Sequence, residues 1–107
     1  MINKTASSTS DNSFVDVGLT SPEGLLIKAQ ITLKIEQEIK SRKLTQVEAA
    51  KLLGIPQPRV SHILNGRFDK ISEGKLMHCL NKLGFNVKIQ IEEEQLNRTG
   101  RTTVAVI

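Results

Sequence analysis

A chain of 107 residues with 38% hydrophobic content suits one compact domain plus tails, with a modest core and no room for a large active-site cavity. Its single cysteine, Cys79, excludes an internal disulfide and a cysteine-rich zinc site. No run approaches the roughly 18 apolar residues of a membrane span, and the amino terminus lacks the basic-then-apolar order of a signal peptide, so a cytoplasmic location is expected. The net charge of +4 is unevenly spread: between Lys40 and Lys75, eight basic side chains (Lys40, Arg42, Lys43, Lys51, Arg59, Arg67, Lys70, Lys75) stand against Glu48, Asp69 and Glu73. Such an excess fits attraction to phosphate, though charge alone also describes a solvated lysine face.

Residues 1–13 are rich in Ser, Thr and Asn and read as a tail that cannot bury enough surface to order itself. Phe14, Val15, Val17 and Leu19 interrupt that polarity, as a cluster that docks on the domain or waits for a partner. Ser21 and Pro22 then read as cap and first position of a helix. Along it Leu25, Leu26, Ala29, Leu33 and Glu36 alternate with a second series, Ile27, Ile31, Ile35 and Ile39, so the helix is apolar on more than one face. A small domain covers one such face; the other is available to a second subunit or another protein.

Thr45 and Glu48 form a capping box, each side chain satisfying an orphan backbone N–H at the start of a helix near Gln46. Ala49, Ala50 and Leu53 recur at three- and four-residue spacing, and Gly54 can adopt the left-handed conformation that ends the helix. Pro58 suits the first turn of a second helix, with Val60, Ile63 and Leu64 inward and Gln57, Arg59, Ser61 and His62 outward; Asn65-Gly66 closes it. Two short helices about a turn glycine, the second with a polar outer face, are what a helix-turn-helix needs to lay one helix in the major groove. The alternative is an αα-hairpin that uses the same spacing for packing alone.

Beyond the motif, Ile71 plugs the core, and Ser72 caps a helix running to about Leu83, with Leu76, Leu80 and Leu83 inward and Gly84 as its stop. Cys79 reads as a small core residue. From Phe85 the period changes: Val87, Ile89 and Ile91 alternate with Lys88, Gln90 and Glu92, as in a half-buried strand over 85–92. A lone strand needs a partner, and pairing with its own copy about a twofold axis would make a homodimer. The alternatives are a helix continuing to Gln95 or pairing with Thr103 to Ile107. Residues 93–107 form a C-terminal tail that is polar over Asn97 to Thr103 and leaves Val104 to Ile107 without a place, so the domain is expected over 14–92 with its motif at 46–65.

Little in the chain points to catalysis. His62 and His78 lie far apart in the chain and no Asp, Glu or Cys completes a metal set with them, Glu92 to Glu94 read as a solvated strand end, and no phosphate loop or nucleophile motif occurs. The chain reads as a non-enzyme without a cofactor.

The stretch QVEAAKLLGIPQPRVSHILN, Gln46 to Asn65, resembles the helix-turn-helix of the lambda-repressor-like, or Xre, family. Ser10 to Gly18, Pro22-Glu23, Leu44-Thr45-Gln46 and Gln57-Pro58-Arg59-Val60-Ser61 extend the likeness over roughly 10–85, toward the HigA-like antitoxin branch. The resemblance implies a mainly α bundle, here with a C-terminal β-strand, that binds a palindromic operator in double-stranded DNA as a homodimer. It assigns Gln57 to a base edge; Ser61 and His62 are the other candidates for base edges, and Arg59 is a candidate for a guanine or a phosphate. Gln46 braces Gln57 and touches phosphate, and Arg42, Lys43, Arg67 and Lys70 are the phosphate candidates. Val87, Ile89 and Ile91 would be the dimer strand. An antitoxin would silence a small basic RelE-like RNA-cleaving toxin and repress its own operon; a stand-alone Xre regulator would have no such partner. Where the family often has Ser or Thr before the second motif helix, this chain has Pro56, an atypical cap.

Overall fold

The computed structural model describes residues 22–107, so the expected tail over 1–13, the cluster Phe14 to Leu19 and the Ser21 cap lie outside the described residues. Four α-helices follow in order: α1 (Pro22–Ser41), α2 (Gln46–Leu53), α3 (Gln57–Leu64) and α4 (Glu73–Lys82), with one 3-10 turn at Phe68–Lys70 between α3 and α4. The long α1 is the spine. It packs on α3, α4 and the 3-10 turn, while α2 crosses α3 and reaches α4.

Each helix begins and ends for a chemical reason. The Thr45 capping box forms, with Glu48 N–H donating to Thr45 Oγ1 at 3.1 Å and Thr45 N–H donating to Glu48 Oε1 at 2.8 Å. Ser72 caps α4 by accepting from Lys75 N–H at 3.2 Å. At the other ends, the N–H of Leu44, Ile55, Arg67 and Phe85 each reaches back five residues, to the carbonyls of Ile39, Ala50, His62 and Leu80. This is the long bond of a Schellman close, which needs a left-handed residue just before the donor. Gly54 supplies it after α2 at φ 70°, whereas after α1 the residue is Lys43 at φ 56°. A Cβ added at Gly54 would meet nothing within 4 Å. Gly54→Ala is therefore expected to cost about 1–2 kcal/mol from backbone strain alone, without steric clash. Thermal unfolding checks this; an unchanged Tm would show that the left-handed turn is not required.

The core is what the two periodicities predict. Ile31, Ile35 and Ile39 of α1 meet Ala49 and Leu53 of α2, Val60 and Ile63 of α3, and Leu76 and Cys79 of α4, with Ile55, Ile71 and Leu83 filling the connections. Ile71 is buried at 4% exposure, as a plug between the 3-10 turn and α4. The other α1 series behaves differently: Leu25, Leu26 and Leu33 stay exposed, Leu26 at 60%. Lys28 and Thr32 of α1 are buried as well, which the apolar spacing did not predict.

Burial pushes the Cys79 thiol above its usual value, an effect partly opposed by the charge of Lys75. A raised thiol keeps its proton, so it is a poor nucleophile. We expect Cys79 to resist a disulfide reagent in the native state and to react on unfolding, followed as thiol release against denaturant. Rapid native labelling would contradict this packing. The stability that comes from keeping this thiol neutral is fully present below the ordinary thiol value. It is lost as pH rises from there through the higher folded value.

The strand expected over 85–92 does not form, and Val87, Ile89 and Ile91 do not line a sheet: Val87 is half-buried, while Ile89 and Ile91 are 76% and 92% exposed. A strand exists only with a ladder partner, and within one chain neither of the alternatives, helix to Gln95 or pairing with Thr103 to Ile107, is realised. Instead the chain end returns to α1 through side chains. Phe85 lies under Lys34, whose Nζ is 4.7 Å from the ring centroid, and Val104 packs against the core. Val104 and Val106 with Gln30, Leu33, Lys34 and Gln37 line a shallow groove of about 330 Å³ along α1.

Candidate nucleic-acid interface

The inner side of α3 is anchored by Val60 and Ile63, both at 0% exposure, and this decides which residues turn outward. Gln57, Pro58 and Arg59 are exposed in the first turn, and Ser61 and His62 are half-buried further on. The helix starts at Gln57 with Pro56 as an extended N-cap and no side-chain cap bond. In place of one, the Pro56 carbonyl accepts from Arg59 N–H at 2.9 Å and from Val60 N–H at 3.3 Å, and Pro58 has no N–H to satisfy. The helix therefore starts at Gln57 without a side-chain cap.

Two of the outward residues are tethered. The Arg59 guanidinium donates through Nη1 to the Lys70 carbonyl, clamping α3 to the 3-10 turn. Asn65 Nδ2 donates to the Ser61 carbonyl at 2.8 Å and to Ser61 Oγ at 3.2 Å. Asn65 is thus more than the helix terminator expected from the sequence: it orients Ser61, a role signalled by the four-residue spacing between a Ser and an Asn on one helix face. His62 has its Nδ1 fully buried and without a hydrogen-bond partner.

The remaining expected residues are spread around this helix. Gln46, the first residue of α2, is half-buried, and no hydrogen bond among the described residues joins its amide to that of Gln57. Lys43, Arg67 and Lys70 are exposed on the connections flanking the motif, Lys43 in the left-handed turn before α2 and Arg67 just after α3. Arg42 is occupied elsewhere: its Nη2 donates to the Leu83 carbonyl at 2.6 Å and its Nε to Glu38 Oε1 at 3.2 Å. That joins the carboxyl ends of α1 and α4, where a cation also meets the negative pole of each helix. His78 is exposed on α4, and no group of His, Cys, Asp or Glu able to hold a metal occurs among the described residues.

This arrangement is a pair of short helices held at an angle by Gly54, with the second clamped by its buried side and by Arg59. A family model described as a helix-turn-helix domain matches residues 13–92. The chain belongs to that helix-turn-helix family. Its fold is also that of a solved XRE family transcriptional regulator, with 31% identity, a TM-score of 0.73, and coverage of 79% of this chain and 97% of that one. No curated protein matches the chain. As a helix-turn-helix protein of the XRE type, it is a DNA-binding transcriptional regulator. Among the described residues no helix is long and apolar enough to cross a membrane.

Proposed function

We propose that this helix-turn-helix protein is an operator-specific repressor that lays α3 in the major groove as one half of a homodimer. The observation that carries the reading is the contrast along α3: Val60 and Ile63 fully buried, with Gln57 exposed one turn before them. Gln57 pairs bidentately with an adenine edge, and Ser61 and His62 contact neighbouring bases. Arg59, tied to Lys70, positions α3 and uses its remaining N–H groups on guanine or phosphate. Gln46, Lys43, Arg67 and Lys70 supply phosphate contacts, and Arg42 adds only its field. The dimer presents two α3 helices to half-sites about one helical turn, roughly 34 Å, apart. Exposed Ile89 and Ile91, with unpaired backbone beside them, support pairing of 87–91 between copies.

The same reading makes the protein an antitoxin that represses its own operon and neutralises a small basic RelE-like RNA-cleaving toxin. The exposed Leu25, Leu26 and Leu33 of α1 support a protein-binding face. A second reading, a stand-alone regulator without a toxin, is favoured by the name of the structural neighbour, a transcriptional regulator. An adjacent short basic reading frame whose product co-purifies with this protein separates the two.

The direct test is Gln57→Ala, which is expected to weaken binding to the cognate operator by about 1–3 kcal/mol while leaving binding to random duplex unchanged. Equal loss on both would remove Gln57 from the base-reading set.

A further inference from the structure

We infer that His62 reads the operator as a hydrogen-bond donor, through its Nε2–H, and selects guanine by docking on N7. This deepens the reading of α3 as the major-groove helix and rests on it.

The buried ring nitrogen decides which tautomer is held. His62 sits between Ser61 and the fully buried Ile63, so its ring is half sunk against the domain. Nδ1 is buried with no partner, whereas Nε2 is not among the fully buried atoms that lack one, and it belongs to a side chain that is only half-buried. A neutral imidazole carries one proton, on one of its two nitrogens. On Nδ1 that proton would be a buried, unpaired N–H, the kind of orphan that folded proteins rarely keep. On Nε2 it leaves only an unfilled lone pair inside, which is better tolerated. The packing thus holds the ring in the Nε2–H form, and its outward atom can donate but not accept.

A donor-only tip is selective in the major groove. Guanine offers two adjacent acceptors, N7 and O6; adenine sets its N6 donor beside N7; cytosine offers a donor, and thymine screens O4 with a methyl group. Ser61 reinforces the preference. Its Oγ accepts from Asn65, and its own proton is uncommitted among the described residues, so a second donor stands beside the first.

The test combines two measurements. In the free protein, the ring ¹⁵N shifts of His62 should report the Nε2–H tautomer; the Nδ1–H form would overturn the inference. Next, duplexes are selected from a randomised library by the wild-type protein, and each guanine is replaced in turn by 7-deazaguanine. One position should then lose about 5- to 100-fold in affinity, the range of a single base contact. That loss should persist in His62→Gln, whose amide reaches the place of Nε2, and vanish in His62→Asn, whose amide reaches only that of Nδ1. A wild-type protein that enriches a sequence yet shows no His62-dependent 7-deazaguanine effect refutes the inference and leaves the proposed function standing. Failure to enrich any sequence would refute both.

Discussion

Ile35→Ala is expected to destabilise the domain by about 2–5 kcal/mol, the range for a large buried side chain truncated where neighbours cannot collapse onto the gap. Ile35 is at 0% exposure near the middle of α1, the helix on which α3, α4 and the 3-10 turn all rest. A domain of this size holds only some 5–15 kcal/mol in total, so the substitution removes a large share. Urea unfolding followed by circular dichroism measures it through the midpoint at constant slope. Leu33→Ala, on the exposed face of the same helix at 52% exposure, is the control and should lie within about 0.5 kcal/mol of wild type. Equal losses at the two positions would mean that the outer face of α1 supports the fold as strongly as the inner one.

Removing residues 87–91 is expected to leave the four-helix domain folded, since Ile89 and Ile91 contribute nothing to its core, but to make the protein monomeric. Operator affinity should then fall by about 10²- to 10⁴-fold, the advantage that a second linked contact confers when the geometry allows both to engage. Analytical ultracentrifugation and operator titration, on one preparation, read the two effects together. A truncated protein that still sediments as a dimer would move the interface to another surface, and the exposed Leu25 and Leu26 would be the first place to look.

The parts of the fold that were legible in the sequence are those decided within a few residues. Thr45 with Glu48, Gly54, Ser72 and Gly84 all act through bonds to neighbours three to five positions away, so their roles follow from spacing. The core followed too, because Ile31, Ile35, Ile39, Leu53, Val60, Ile63 and Leu76 recur at helical intervals. What was not legible depends on distant partners. The alternation of Val87, Ile89 and Ile91 marks a segment able to pair, but nothing local states whether a partner exists, and one chain holds none for it. The charge of Arg42 is visible in the sequence, whereas the Leu83 carbonyl that it also serves is 41 residues away. The hold of Lys70 on Arg59 is another such case. It crosses from α3 to the following turn, through a backbone acceptor that sequence does not advertise. Val104 was unplaced for the same reason, being a single apolar residue whose destination is a groove on α1.

The two-sidedness of α1 carries an energetic corollary. One flank of this rod holds α3 through the core, and the other presents Leu25, Leu26 and Leu33 to the surroundings. A macromolecule that gripped the outer flank and bound more tightly to the form this rod takes on an operator would raise operator affinity by some factor. The operator must then change that macromolecule's affinity by the same factor, because both equilibria share a single thermodynamic cycle.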